Sequence, residues 1–334
     1  MSVLPDPASA AGLRKVLFLA GHKSHGEGEH EHAAGSLFLR DALNRSKTDV
    51  WAQVHSQWPT DPRAFDSVAA VVVYGDGQGS HLLNGHWAFM DSLNRRGVGL
   101  ALFHWTVQPD PGAPQSYALS MLGGVFESYY SVNPTWTPIF DPMPAHPASA
   151  GVLPVAEEDE WYFHMRFRPN ATGVTPLLIT RPPLSWVETL GRGGEYGLND
   201  FVLADVKAGL PQPVAWVAEN GGTRGRGFGF TGGHFHRNWG TEFHQRLVLN
   251  CLAWIAQGSI PAGGMPVLKP TTAELNAYMK MAIPSLEKQL PPSTATSINS
   301  SGHRAQQRQR LRHAPSRDRD WVGRKSPLGS PARD

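Results

Sequence analysis

The fold is decided by the stretch VAAVVVY, residues 68–74, an apolar run without polar interruption. Such a run of β-branched residues is typical of a strand in a sheet that is covered on both faces. Two similar runs flank it, KVLFLA at residues 15–20 and VGLALFH at residues 98–104, and segments with apolar residues at helical spacing lie between the three. This alternation predicts an α/β protein with a doubly wound, mainly parallel sheet.

The remaining elements follow from the same periodicities. In the first half these are a strand near residues 49–54 and helices over residues 33–42 and 82–94. After Gly123, prolines, aromatics and short apolar runs replace the regular pattern, so we expect an irregular insertion of small strands and loops. Regularity returns with a predicted hairpin of residues 213–218 and 227–231 and a closing helix over residues 239–255.

Composition divides the chain into three parts, of which the first is an α/β domain predicted over residues 13–258. Thr271 and Glu274 have capping-box spacing, so residues 266–290 are expected to form a short helical appendage. Residues 291–334 are rich in Ser, Gln, Arg and Pro and nearly devoid of apolar residues. Such a composition predicts a disordered basic tail.

The charge balance argues against nucleic acid as a partner. Residues 291–334 contain nine Lys or Arg and three Asp, a surplus of six positive charges. Since the formal net charge of the whole chain is +2, the remaining residues have a net charge of −4. Nucleic-acid binding needs clustered basic charge on the folded part of a protein.

The sequence lacks the signals expected of a membrane protein, a secreted protein or a Cys-rich protein. No apolar stretch approaches the roughly twenty residues needed to cross a bilayer, so we expect a water-soluble protein without a membrane partner. Residues 1–12 do not resemble a signal peptide, which favours the cytoplasm. The single Cys251 excludes an internal disulfide and a Cys-rich zinc finger.

Polar and small residues follow four predicted strands, at the edge where ligands of open α/β sheets bind. The residues at these strand ends are His22, Asp76, Gly77, His104, Trp105, His234 and His236. A single histidine in such a turn is more often a loop or capping residue. Three strands that deliver histidine to one edge favour a shared pocket of His104 and His234, with His22 as a candidate third member.

Two histidine tracts suggest a divalent metal such as zinc, for which imidazole and carboxylate are usual ligands. The tract Glu29–His32 is better explained by acids at the positive end of a following helix, because residues two apart do not share a helix face. His234 and His236 share one side of an extended segment but need further ligands. The hypothetical metal set is therefore His22, His104 and His234.

An acidic run ends on Glu160 directly before Trp161 and Tyr162. A solvated acidic turn is one interpretation. The other is a sugar site, because aromatic faces stack on sugar rings and a carboxylate binds hydroxyls or transfers protons. On this second interpretation Glu160 assists catalysis and Tyr162 contacts the substrate.

Taken in order, these residues resemble the ThuA-like (trehalose-utilisation) family of the class I glutamine amidotransferase-like superfamily. The resemblance covers roughly residues 14–257. Its points are RKVLFLAGHKSHG (14–26), HEHAAG (30–35), GVGLALFHW (97–105), GGVF (123–126), EDEWY (158–162), GRGFGFTGGHFHRNW (225–239) and LNCLAWIAQG (249–258).

The resemblance implies a flavodoxin-like core and a link to carbohydrate metabolism. Amidotransferase relatives carry a cysteine nucleophile on the turn that His104 occupies here, and Cys251 lies in a different segment. A thiolate mechanism therefore lacks its nucleophile. His234 and Glu160 match the family's Gly-His and Asp-Glu positions, so the implied catalytic residues are His104, His234 and Glu160.

Two functions of different class remain. The first is an enzyme acting on a sugar or keto-sugar derivative, an isomerase, keto-sugar-processing enzyme or hydrolase, with histidines as acid/base groups or metal ligands. The second is a non-catalytic carbohydrate-binding or regulatory protein on the same fold. Convergence of His22, His104 and His234 would favour the enzyme. In both cases the partner is a small carbohydrate, and a homo-oligomer is an open alternative.

Overall fold

The apolar runs of the sequence form strands, and the segments between them form helices, in a computed structural model that describes residues 12–292. The strands are β1 (Arg14–Ala20), β2 (Val50–Ser56), β3 (Val68–Tyr74), β4 (Gly99–Phe103), β5 (Gly124–Val125), β6 (Arg166–Phe167), β7 (Val174–Thr180), β8 (Gln212–Ala218) and β9 (Gly227–Phe230). The helices are α1 (His32–Arg45), α2 (Trp87–Arg95), α3 (Ala113–Leu122), α4 (Leu184–Val187), α5 (Asp200–Lys207), α6 (Glu242–Ile255) and α7 (Thr272–Ala277).

Seven strands form one sheet in the order β2-β1-β3-β4-β9-β8-β7. The first five are mutually parallel, and β8 pairs antiparallel with both β9 and β7. The parallel part has the flavodoxin-like order, in which the strand order reverses between β1 and β3. The predicted α/β fold and the antiparallel pairing of β8 with β9 are confirmed.

Two hydrophobic layers cover the two faces of the sheet. Alternate residues of β1 point to opposite faces. Val16 and Phe18 pack in the layer that contains residues of α1 and α6, whereas Leu17 and Leu19 pack in the layer of α2 and α3. This explains why the central strands are apolar at every position.

The insertion after α3 contains little regular structure. β5 and β6 form a two-stranded sheet, and isolated bridges pair residues 132–136 with residues 159–163 in antiparallel fashion. The insertion therefore places an extended segment with Glu160 and Tyr162 beside the central sheet.

The segment after α6 packs on the main domain. The expected capping box of Thr271 and Glu274 is present at the start of α7. The side chain of Gln289 accepts from the amide of Val54 at 2.8 Å and donates to its carbonyl at 2.8 Å, so it covers the free edge of β2. Beyond Pro292, the predicted disordered tail lies outside the described residues.

Two helices begin later than expected. α2 begins at Trp87 because residues 82–86 form turns, and α6 begins at Glu242, after a 3-10 turn over residues 236–240. The hydroxyl of Thr241 caps α6. Among residues 12–292, no helix has the length and apolar character that crossing a membrane would require.

Candidate functional site

Three histidines and one glutamate converge at the carboxyl edge of the sheet. His104 directly follows β4, His234 follows β9, Glu160 comes from the insertion, and His30 lies at the end of the loop between β1 and α1. One ligand atom from each lies within 4.8 Å of those of the other three. We call these four residues the His/Glu cluster.

The donor atoms of the His/Glu cluster are spaced as metal ligands are. His30 Nε2 lies 3.1 Å from His104 Nε2 and 3.1 Å from His234 Nδ1, and the latter two atoms are 3.3 Å apart. Glu160 Oε2 lies 3.3 Å from His104 Nε2 and 3.2 Å from His234 Nδ1. Four ligands about 2.05 Å from a tetrahedral zinc ion are about 3.3 Å from one another.

The outer hydrogen bonds of two histidines direct their lone pairs inward. His104 Nδ1 donates to the carbonyl of Thr231 at 2.9 Å, and His30 Nδ1 donates to Asp76 Oδ1 at 3.2 Å. With these protons on Nδ1, neutral rings present unprotonated Nε2 atoms to each other at 3.1 Å. Two facing lone pairs repel, and a cation between them would remove the repulsion. Nδ1 bonds of this kind are typical of metal-ligating histidines.

The protonation states suit a cation. Burial lowers the pKa of His30 to about 3, so this ring is neutral at physiological pH. Burial alone would raise the pKa of Glu160, but its contacts with His104 and His234 outweigh burial and lower the pKa to about 2. Burial opposes the charged form of His234, yet contact with Glu160 raises its pKa. The cluster therefore offers a carboxylate and at least one free imidazole lone pair.

The backbone is strained at two members of the cluster. His30 has φ 46° and His104 has φ 54°, the left-handed region that non-glycine residues rarely adopt. Each such residue costs about 1–3 kcal/mol, and such strain is concentrated at functional sites. The His234 loop is held by Asp159, whose carboxylate accepts from the amides of Gly233 at 2.8 Å and His234 at 3.0 Å.

Two aromatic residues predicted as substrate contacts border the cluster. The hydroxyl of buried Tyr162 lies 3.2 Å from His104 Nε2 and donates to Glu160 Oε2 at 3.3 Å. Trp105 is partly exposed, and its ring centroid is 5.9 Å from that of His30. Gly77 packs so closely on Trp105 that a Cβ would lie 2.4 Å from the Trp105 carbonyl oxygen. Glycine is therefore required there.

Asp76 and the loop after β1 form an outer layer. Asp76 Oδ1 accepts from Ser24 Oγ at 2.7 Å, in addition to its contact with His30. The ring of exposed His25 lies 3.6 Å from that of His30 between centroids, tilted by 34°, and its centroid is 5.8 Å from that of His234. Asp76 therefore orients His30, and His25 places a further imidazole next to the cluster.

Two histidines expected at the site lie elsewhere. His22 is exposed, and its backbone carbonyl accepts from His32 Nδ1 at 2.7 Å. His236 begins a 3-10 turn instead of continuing an extended segment, and its Nε2 donates to the carbonyl of Leu275 at 3.0 Å. The structure thus places neither side chain in the His/Glu cluster.

Sequence reasoning missed His30, whose position depends on how the long loop folds back. The amide of His30 donates to the carbonyl of His234 at 3.0 Å, and Gly28 accepts from the amide of His236 at 2.8 Å. These long-range bonds fasten the loop beside the strand ends. The Glu29–His32 tract was the available signal, but it was assigned to acids at a helix terminus because residues two apart do not share a helix face.

Fold and site together define a flavodoxin-like α/β protein with a polar, histidine-rich centre at the carboxyl edge of its sheet. The sequence model of the ThuA family, described as trehalose utilisation, matches residues 15–255. The chain therefore belongs to the ThuA family, and this membership links it to carbohydrate metabolism. No curated protein matches the chain.

The solved structures that resemble the chain include two ThuA-like proteins. A ThuA-like protein from Bacteroides uniformis ATCC 8492 is 16% identical, covers 73% of this chain and 91% of its own, and has a TM-score of 0.50. A ThuA-like protein from Parabacteroides merdae ATCC 43184 is 16% identical, covers 73% of this chain and 90% of its own, and has a TM-score of 0.44. At such identity, the first likeness supports the fold alone.

Proposed function

We propose that this protein is an enzyme acting on a sugar or keto-sugar derivative, and that the His/Glu cluster holds a divalent metal such as zinc. The observation that carries the proposal is the convergence of His30, His104, His234 and Glu160, whose ring nitrogens and carboxylate oxygen lie about 3 Å apart. Three imidazoles and a carboxylate are a donor set that zinc accepts.

His104, His234 and Glu160 were expected as acid/base groups or as metal ligands, and their geometry favours the ligand role. A proton shuttle needs one nitrogen that is free to reach the substrate, whereas His104 Nε2 has three close neighbours inside the cluster, one atom each of His30, His234 and Glu160. A divalent metal held by these four residues would polarise a carbonyl or hydroxyl oxygen that reached it as a further ligand, and it would stabilise the charge that develops on that oxygen.

The surrounding residues supply binding and proton transfer. Burial raises the pKa of Tyr162 well above its ordinary value, so its phenol keeps its proton and would donate it to a sugar oxygen in exchange for its hydrogen bond to Glu160. Trp105 offers a partly exposed ring for stacking on a sugar. Exposed His25 is the nearest histidine outside the cluster and is the candidate for moving a proton beside the reacting carbon.

The test combines metal analysis with sugar binding. The purified protein is expected to contain stoichiometric zinc or another divalent metal by mass spectrometry. Sugars and keto-sugars are then screened for a rise in Tm, since a ligand of the native state stabilises it by mass action. Removal of the metal with a chelator is expected to abolish the rise in Tm given by the best sugar.

Two variants that each neutralise one carboxylate test whether metal and sugar bind at the His/Glu cluster. Glu160→Gln removes the charge at the cluster and is expected to lose metal and sugar binding. Glu158→Gln removes an exposed carboxylate, paired with Arg237 at 2.8 Å, and is expected to keep both. Full metal content in Glu160→Gln would refute the cluster assignment, and a metal-loaded protein that binds none of the sugars would refute the substrate class.

A further inference from the structure

Asp159 is a fully buried carboxylate directly before Glu160 of the His/Glu cluster. Burying a charged group is unfavourable unless it is paired or accepts several hydrogen bonds. Within residues 12–292, no Lys, Arg or His side chain forms an ion pair with Asp159. Its two oxygens accept four hydrogen bonds from amide N–H groups instead. The arrangement of these amides is therefore what stabilises the buried charge.

One oxygen of Asp159 joins the backbones of two cluster members. Oδ1 accepts from the amide of Glu160 at 2.8 Å and from the amide of His234 at 3.0 Å. Glu160 belongs to the irregular insertion and His234 to the loop after β9, and no β-bridge within residues 12–292 joins these two segments. The shared oxygen therefore links them directly. Beside this link, Glu160 Oε2 lies 3.2 Å from His234 Nδ1, a spacing suited to two ligands of one ion.

The other oxygen of Asp159 fixes the His234 loop. Gly233 has φ 102°, a conformation that favours glycine, and its amide donates to Oδ2 at 2.8 Å. The amides of Gly233 and His234 thus point at one carboxylate, as successive N–H groups do in an anion-binding nest. The side-chain amide of buried Asn238 donates to Oδ2 at 2.9 Å and to the carbonyl of Glu158 at 2.9 Å. These contacts fasten the loop to the segment that carries Glu160.

We propose that Asp159 is the positioning residue of the His/Glu cluster, and that it holds Glu160 and His234 at the separation that a shared divalent ion requires. The proposal rests on the proposed function and adds to it a residue that is not itself a ligand, since its oxygens already accept four N–H groups. Residues behind metal ligands typically contribute about 10–100-fold to metal affinity. Because Asp159 orients two ligands, we expect a contribution at the upper end of this range.

The test measures two properties of the full chain, its affinity for Zn²⁺ by chelator competition and its visible absorption spectrum when loaded with Co²⁺. Asp159→Asn keeps the size of the side chain but replaces one acceptor oxygen by an NH₂ group, which then faces two N–H donors. This variant is expected to bind Zn²⁺ about 100-fold more weakly than the native protein. Its Co²⁺ spectrum is expected to change in shape and intensity, because the spectrum reports the number and type of ligands around the ion.

Glu157→Gln is the matched control on the same segment. Glu157 is also buried, but its carboxylate accepts from His244 Nδ1 at 2.7 Å and, within residues 12–292, is hydrogen-bonded to no member of the cluster. Both variants are expected to unfold at a lower urea concentration than the native protein, since each disturbs a buried hydrogen-bonded carboxylate. Only Asp159→Asn is expected to change the Zn²⁺ affinity and the Co²⁺ spectrum.

Asn238→Ala tests the same link even if Asp159→Asn does not fold, because it removes one donor and keeps the carboxylate. It is expected to weaken Zn²⁺ binding about tenfold. Native affinity and a native spectrum in every one of these two variants that folds overturn the proposal and leave the proposed metal site intact. An equal loss of affinity in Glu157→Gln also overturns it, since the effect then follows from destabilisation of the segment. A native protein that binds neither Zn²⁺ nor Co²⁺ refutes the proposed function, and the role of Asp159 with it.

Discussion

His104 at the sheet edge and His81 in the turn before α2 are both buried histidines, yet they differ in what their ring nitrogens meet. His81 Nε2 donates to the carbonyl of Thr106 at 2.9 Å, and its Nδ1 accepts from the amide of Leu83 at 3.0 Å. His104 has one such bond, to Thr231, and its Nε2 faces His30, His234 and Glu160.

This difference separates a structural histidine from a candidate ligand. A buried polar group is normally paired inside the protein, so a histidine with both nitrogens satisfied has no capacity left for a metal or substrate. Burial is the same in both places and carries no functional information. The feature that distinguishes the candidate ligand is that its inner ring nitrogen lies about 3 Å from the ring nitrogens of two other histidines.

The largest expected effect follows from removing a converging nitrogen. Loss of a residue that only orients a metal ligand costs about 10–100-fold in affinity, so loss of the ligand in His30→Ala is expected to cost more than 100-fold. Competition against a chromogenic zinc chelator measures this affinity. His22→Ala removes an exposed ring from the same loop and is expected to keep native affinity.

The same two variants also decide between the ligand set expected from the sequence and the set that the structure brings together. Retained affinity in His30→Ala with lost affinity in His22→Ala would restore the sequence-based ligand set of His22, His104 and His234. It would also show that facing lone pairs are a poor criterion for a site.

The second prediction concerns the structural histidine of the comparison. Burial lowers the pKa of His81 to about 4, against about 6.5 in an unfolded chain. Above pH 6.5 both states are neutral. As the pH falls from 6.5 towards 4 the unfolded state takes up a proton that the folded state refuses, so the folded state loses about 3 kcal/mol in total.

Urea unfolding at pH 7 and pH 5 measures this loss. The native protein is expected to lose stability on acidification, and His81→Gln is expected to lose about 2 kcal/mol less than the native protein over this interval. His55→Gln, at a partly exposed histidine outside the cluster, is the matched control. Equal acid sensitivity in the native protein and His81→Gln would mean that burial of His81 does not oppose its protonation.

Most of the fold could be predicted because its signals are local. The predicted bounds of β3 agree with the structure, and those of β1, β2, β4, β8 and β9 differ by at most two residues at either end. No bounds were predicted for β7, which the sheet receives from the irregular insertion. The bounds of α2 and α6 were less predictable because turns with apolar residues precede both helices. The course of the insertion could not be predicted, since its bridges join segments about twenty to forty residues apart with no periodicity to mark them.

Site residues that directly follow a strand could be predicted, whereas a residue far along a loop could not. His104 and His234 lie within four residues of β4 and β9, so the sheet edge fixes their positions. His30 lies ten residues beyond β1, and only its tertiary bonds to the His234 loop bring it back. His22 is closer to its strand end but faces solvent. The order of the strands therefore predicts at which edge of the sheet the site lies, but tertiary contacts of the loop determine which of its histidines joins the cluster.

The smallest expected effect concerns Asp76, whose carboxylate accepts a hydrogen bond from His30 Nδ1. Burial would raise the pKa of Asp76, but hydrogen bonds from His30 and Ser24 outweigh it and lower the pKa, so the group is a carboxylate at neutral pH. Asp76→Asn keeps an acceptor oxygen and loses the charge that makes His30 a stronger ligand. We therefore expect about a tenfold fall in metal affinity, the low end for a residue behind a ligand.

Asp200→Asn, at a carboxylate whose side chain is 93% exposed, is the matched control and is expected to keep native affinity. The same chelator competition serves both variants, and the unfolding free energy of the metal-free proteins shows whether a change in affinity reflects folding. A fall as large as that of His30→Ala would make Asp76 a ligand itself. No fall would mean that the Nδ1 bond does not tune His30, and the contrast between His104 and His81 would then rest on the inward nitrogens alone.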